Sequence, residues 1–177
     1  PRAQVYRDLR AAAEGGWDCG SRWLADGRHL TTIDTTDIVP VDLNSLLYGL
    51  ERAIASGCAA QHDTVCARRF TARARRRRDA MDRYLWDAKA GYFKDYDWRH
   101  HRRNPELSAA TLYPLFTGIA DISQARAIGA VARMQLLKEG GIVTTNITSG
   151  QQWDAPNGWA PLQWIAVICF RRYDQPA

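Results

Sequence analysis

The sequence predicts an all-α fold built from helical hairpins, arranged as an α-solenoid or a closed toroid. Apolar residues recur at helical spacing in several segments, and these segments come in pairs. Longer polar or Gly-rich connections separate the pairs at 16–38, 87–104 and 139–160. In either architecture, long loops on one face carry the functional residues. We treat residues 1–177 as a single domain.

The first clear helix is expected over 40–56. Pro40 and Asp42 are start residues and Gly57 is a stop residue. Its apolar positions follow helical spacing: Leu43, Leu46, Leu47, Leu50 and Ile54. Further helices are predicted over 59–86, 105–119, 123–138 and about 161–173.

Two segments depart from this helical pattern. Residues 86–104 alternate aromatic and polar side chains around Gly91, which is typical of a short hairpin or irregular loop. Residues 141–150 are expected to be extended or looped. In the helix predicted over 105–119, Pro105 and Glu106 form the start and Pro114 introduces a kink or a break.

Composition and charge limit the kinds of protein and binding site that this chain can represent. The chain is 46% apolar and 24% charged, and it contains no apolar run long enough to cross a membrane. Its net charge of +5 comes largely from an arginine cluster at 68–78, which we interpret as a solvated helix face, so nucleic acid is not an expected partner. Four scattered cysteines lack the spacing of a zinc site, and we expect free, mostly buried thiols. No metal and no cofactor are predicted.

The loop GGWDCGSRW, residues 15–23, contains the first candidate catalytic group. A carboxyl beside an indole and shielded from water has a raised pKa, which would suit Asp18 to general acid catalysis. Contact with Arg22 would oppose that effect. The alternative is that Asp18 caps the following turn.

A second polar loop, KDYDWRHH, covers residues 94–101. Asp95 and Asp97 are suited to binding a polyol, or they pair with neighbouring Arg99, Arg102 and Arg103. His100 and His101 have no partners at metal-ligand spacing.

The third loop, QQWDAPNGWAPLQW, covers residues 151–164 and is rich in tryptophan. Trp153, Trp159 and Trp164 are either a buried corner or a stacking platform for a flat polar ligand. Asp154 and Asn157 would add hydrogen-bonding groups at the rim of such a platform. An apolar face with a polar rim matches the character of a sugar.

In these motifs the sequence resembles the trehalases of glycoside hydrolase family 37. The tryptophan-rich loop looks like one of that family's signature motifs, and GGWDCGSRW is similar to its SGWDFSSRW segment. Segments 38–51, 86–97 and 140–151 also resemble the family. The likeness covers nearly the whole chain, from about Tyr6 to Ala166.

The resemblance implies an (α/α)6 toroid, here a partial one, with short hairpin-like or irregular loops on the active-site face. It implies hydrolysis of α,α-trehalose to two glucoses with inversion and without a metal. It assigns the general acid to Asp18, the pocket lining to Gly16 and a sugar-bordering indole to Trp153. Our substrate-binding set also contains Trp17, Arg22, Asp154, Asn157 and Trp159.

Several family features have no match in this chain. The PGGRF signature, the upstream arginines and the catalytic base, a Glu in a Gly-rich segment, are absent. The acidic residues Glu14, Glu51, Glu106 and Glu139 are interpreted as helix-surface or turn residues. We therefore expect weak or no hydrolysis from the chain alone.

Two alternatives remain open at this stage. One is a non-catalytic fragment that binds a saccharide, and the other is a helical association module. Apolar helix faces left exposed by a partial toroid would favour self-association. The compartment is either periplasmic or cytoplasmic.

Overall fold

The structure is a computed structural model that describes residues 2–18 and 20–173. Helices dominate the described chain, so the predicted all-α class is confirmed. The α-helices are α1 (Arg2–Glu14), α2 (Val41–Ala60), α3 (Thr64–Tyr84), α4 (Tyr113–Thr117), α5 (Ile122–Gln135) and α6 (Ala160–Arg172).

Very short strands shape the long loops. They are β1 (Ile38–Val39), β2 (Trp86–Asp87), β3 (Tyr92–Phe93), β4 (Tyr96–Asp97), β5 (Arg102–Arg103), β6 (Leu137–Lys138) and β7 (Gly141–Ile142). All pairings are antiparallel: β1–β4–β5 form one small sheet, and β2–β3 and β6–β7 form separate hairpins. The hairpin predicted around Gly91 is therefore present, with Gly91 at a φ of 79° in its turn.

Helices α2 and α3 form the main antiparallel helix pair. The predicted stop at Gly57 is wrong, because α2 continues to Ala60 and the turn follows at residues 61–63. Asp63 caps α3 by accepting a hydrogen bond from the backbone N–H of Cys66. Cys66 forms a disulfide with Cys58 across this turn, which corrects the expectation of free thiols at both positions.

The buried side of α2 is not the predicted leucine face. Val41, Ser45, Tyr48, Glu51 and Ala55 are buried. The leucines on the opposite side are about half exposed: Leu43 51%, Leu46 47% and Leu50 54%. The helical spacing showed that these leucines share one side of α2, but it did not show whether that side is covered. Self-association through this side stays a prediction.

Glu51 is not a surface residue. It lies on the buried side of α2 and accepts two hydrogen bonds from Arg77 of α3, both at 3.0 Å. Arg77 also donates to the side chain of Asn44 at 2.8 Å. Most other arginines of the 68–78 cluster are exposed, as expected for a solvated face.

The segment after β5 begins helical structure later than predicted. Pro105 and Glu106 lie in an extended stretch, and Ser108 bridges to Thr145 of a distant loop. A 3-10 helix follows over Ala109–Leu112 and leads directly into α4, with Pro114 in its first turn. Helical structure therefore begins at Ala109 and not at Pro105, and Glu106 contacts the Ser21 hydroxyl.

The hydrophobic core extends from Trp17 and Met81 to α4, α5, α6 and the 3-10 helix. Its most buried members include Leu112, Leu115, Ile128 and Leu162. Cys169 is a free, buried thiol, as predicted for it, and burial raises its pKa to about 12. The prediction for Cys19 lies outside the described residues. Within residues 2–18 and 20–173, no helix combines the length and apolarity needed to span a bilayer.

Candidate active site

Residues 16–22, here called the acid loop, leave the end of α1 through a sharp turn. Gly16 has a φ of 75°, a backbone conformation that favours glycine. Trp17 is buried, whereas Asp18 is exposed to solvent. The indole of Trp17 therefore turns inward, and the shielding of Asp18 expected from it is not provided by the described residues.

Residues 151–159, here called the tryptophan loop, pack directly against the acid loop. The ring centroids of Trp153 and Trp17 are 5.0 Å apart, and Trp159 stacks on Trp153 at 4.8 Å. A Cβ built on Gly20 would lie only 3.2 Å from Cβ of Trp153, so a side chain at this position would crowd the contact. Residues on both sides of Asp18 thus touch Trp153.

Asp154 links the two loops through hydrogen bonds. It accepts hydrogen bonds from the backbone N–H of Ser21 at 2.9 Å and from the Ser21 hydroxyl at 2.8 Å. The hydroxyls of Thr145, at 2.8 Å, and Ser149 also donate to it. With 0% exposure, the Asp154 carboxylate serves the protein's own donors and does not face solvent.

Asn157 and Trp159 hold the shape of the tryptophan loop. The Asn157 amide donates to the backbone carbonyls of Gln151 and Gln152, and the Trp159 indole N–H donates to that of Gln152. Trp164, predicted to share this bend, lies on α6 and is 62% exposed. The stacked group therefore comprises Trp17, Trp153 and Trp159.

Arg22, the last residue of the acid loop, is buried. It forms ion pairs with Asp42 at 2.7 Å and with Asp95 at 2.6 Å, and its guanidinium carbon lies 4.5 Å from the centre of the Trp17 ring and 4.4 Å from that of Trp23. Burial lowers the pKa of Arg22, but the two carboxylates outweigh this and raise it overall. Its guanidinium is therefore committed to these partners.

The polar loop around β4 supplies part of this network. Asp95 binds Arg22 and the backbone N–H of Val41. Asp97 contacts His100 at 2.7 Å and Arg102 at 3.4 Å, whereas Arg99 pairs with Asp37. The prediction of local ion pairs is confirmed for Asp97. Asp95 instead pairs with Arg22, a distant residue that the sequence did not indicate.

A polar cavity of about 410 Å³ opens beside the acid loop, and its lining includes Ser21, Arg22, Asp34, Asp97 and Glu106. Burial and the neighbouring carboxylates raise the pKa of Asp34 to about 6. Its buried Oδ1 has no hydrogen-bond partner within the described chain. Among residues 2–18 and 20–173, no group of three or more His, Cys, Asp or Glu residues is arranged to hold a metal ion.

Comparison with known proteins identifies the family. The family model described as Trehalase matches residues 1–177. The chain belongs to the trehalase family. The periplasmic trehalases of Xanthomonas oryzae pv. oryzae and Pseudomonas aeruginosa are each 54% identical over 177 residues, which is 100% of this chain and 31% and 32% of theirs. This trehalase-family chain spans about a third of the length of those curated relatives.

A solved structure confirms the fold of this trehalase segment. The neutral trehalase of Saccharomyces cerevisiae superimposes with a TM-score of 0.85 at 27% identity. The match covers 97% of this chain and 33% of the yeast chain. The predicted partial toroid of helical hairpins is therefore confirmed.

Proposed function

We propose that the protein carrying this chain hydrolyses α,α-trehalose to two glucose molecules, with Asp18 as the general acid. The observation that carries the proposal is the packing of the acid loop on the tryptophan loop, with Trp17 and Trp153 at 5.0 Å. Asp18, which is exposed, directly follows Trp17 in the acid loop. Membership of the trehalase family supports trehalose as the substrate.

In the proposed mechanism, Asp18 donates its proton to the glycosidic oxygen as the bond to the anomeric carbon breaks. Inversion requires a second carboxyl, about 6.5–9.5 Å from the first, to activate water on the opposite face of the sugar. We propose that this base lies outside these 177 residues, in the Gly-rich Glu segment that the family resemblance implies. The chain alone would then have weak or no activity.

Sugar binding is assigned to a smaller set of side chains than the sequence suggested. We propose that Trp153 and Trp159 offer apolar surface to a glucose ring and that the backbone at Gly16 lines the pocket. Trp17, Arg22 and Asp154 are buried and engaged within the protein. We propose that they position the loops, with Asn157 maintaining the bend.

We also propose a periplasmic location. The relatives with 54% identity are named periplasmic trehalases. The disulfide between Cys58 and Cys66 supports an oxidising compartment, because disulfides are rare in reducing cytosol. Release of the protein by osmotic shock, with a cytosolic enzyme retained in the cells, would support this assignment, and retention with the cytosolic enzyme would contradict it.

Proton NMR of trehalose incubated with the protein carrying this chain tests the reaction itself. Inversion converts the attacked glucosyl unit to β-glucose, whereas the leaving glucose keeps its α configuration. We expect equal amounts of both anomers before mutarotation. Formation of α-glucose alone would contradict inversion, and binding of trehalose without glucose release would favour a saccharide-binding protein.

A further inference from the structure

Glu106 lies at the wall of the cavity beside the acid loop and is partly buried there. It comes from the extended stretch after β5, and its Oε1 is 3.0 Å from the hydroxyl oxygen of Ser21. The expectation of a helix-surface or turn residue is wrong for Glu106. The mechanism proposed above gives it no role.

The Ser21 hydroxyl lies between two carboxyl groups. Its oxygen is 2.8 Å from Oδ1 of Asp154 and 3.0 Å from Oε1 of Glu106. A hydroxyl has one proton and donates one hydrogen bond. If Ser21 donates to Asp154, a favourable contact with Glu106 requires that Glu106 carry a proton and donate it to Ser21.

The surroundings of Glu106 favour this protonated form. Burial raises its pKa to about 7, and the carboxylates of Asp154 and Asp95 act in the same direction. Arg22 acts in the opposite direction, as would the Ser21 hydroxyl if it donated to Glu106 and not to Asp154. Other charged groups that line the same cavity are Asp26, Asp34, Asp97 and Arg102.

Loss of the Glu106 proton would affect the junction between the loops. The Ser21 hydroxyl would then be drawn toward two carboxylates with one proton to share. Ser21 and Asp154 are 133 residues apart in sequence, and their hydrogen bonds tie the acid loop to the tryptophan loop. Weakening the hydroxyl bond would loosen that tie.

We propose that Glu106 is a positioning residue whose proton, donated to Ser21, holds the acid loop against the tryptophan loop. Deprotonation increases the population in which the two loops separate. The consequence for catalysis rests on the proposed function, because it acts through the placement of Asp18. The coupling between the loops does not depend on any substrate.

The sign of the pH effect follows from the direction of the shift. The folded chain favours protonated Glu106, with the pKa raised from 4.5 to about 7. Its contribution to stability is therefore complete below pH 4.5 and is lost as the pH rises through about 7. Asp34, with a pKa of about 6, contributes a separate change in the same cavity.

Fluorine NMR of the protein carrying this chain, labelled with 5-fluorotryptophan, tests the coupling without trehalose. The Trp153 resonance, assigned with Trp153→Phe, should shift with an inflection near pH 7 in the wild type. Glu106→Gln, whose amide still donates to Ser21, should lack the inflection near pH 7 and keep only a change near pH 6 that belongs to Asp34. Glu139→Gln, an exposed matched control, should keep the inflection.

Ser21→Ala tests whether the effect of Glu106 on Trp153 passes through the Ser21 hydroxyl. In this variant Glu106 still titrates, but the Trp153 resonance should no longer follow it. An inflection near pH 7 that persists in Glu106→Gln or in Ser21→Ala, or a wild type without one, would overturn the proposal. If Glu106→Gln does not fold, the wild type and Ser21→Ala decide between these outcomes. Because no substrate is present, this failure is distinct from a failure to hydrolyse trehalose.

Discussion

The indoles of Trp17 and Trp153 pack with their ring centroids 5.0 Å apart, and this contact brings the acid loop and the tryptophan loop together. Trp159 also stacks on Trp153, at 4.8 Å. Trp153 is therefore the central member of the group. Its removal would take away both aromatic contacts at once.

Trp153→Ala should lower the free energy of unfolding by about 2–4 kcal/mol, because a large, partly buried side chain leaves a cavity. In the protein carrying this chain, it should also raise KM for trehalose. Urea unfolding and glucose-release assays measure the two effects. Trp164→Ala, at a position with 62% exposure, is the matched control, and an equal loss in both variants would count against the stack.

Arg22→Met should be strongly destabilising. Removing one partner from a buried ion pair leaves uncompensated charge and costs about 3–5 kcal/mol. Here both Asp42 and Asp95 would lose their cation. The free energy of unfolding from urea titration measures the loss, with the exposed Arg126→Met as control. Unchanged stability in Arg22→Met would show that the network does not anchor the acid loop.

Reduction of the disulfide should weaken the α2–α3 turn. Cys58 and Cys66 enclose a short loop, and loss of such a cross-link costs about 2–3 kcal/mol. Urea unfolding with and without dithiothreitol measures the effect, and mass spectrometry after alkylation checks that both thiols were protected. The variant with both cysteines replaced by Ser should not respond to dithiothreitol. Labelling of both thiols before reduction would contradict the pairing.

Most helices could be predicted from local pattern. Pro40 and Asp42 lie at the start of α2, and Gly91 marks a hairpin turn. These features depend on neighbouring residues, so a sequence displays them directly. The tryptophan loop was recognisable for the same reason, because its motif is contiguous.

Features that depend on tertiary contacts were missed. The periodicity of α2 did not reveal that Leu46 faces outward while Glu51 is buried against Arg77. Nothing local to Arg22 indicates that Asp95 is its partner, 73 residues away. Glu106 likewise contacts Ser21, a residue 85 positions away that only the folded chain brings close.

Glucose release from trehalose by the protein carrying this chain, compared between wild type and Asp18→Asn, tests the central claim most directly. The two side chains are nearly isosteric, but the amide cannot donate a catalytic proton. General acid catalysis contributes about 10²–10⁴-fold, so Asp18→Asn should lose at least about 100-fold in kcat while circular dichroism stays unchanged. Asp79→Asn, at an exposed site on α3, should stay within about twofold of wild type. A rate for Asp18→Asn equal to that of Asp79→Asn would contradict the assignment of Asp18.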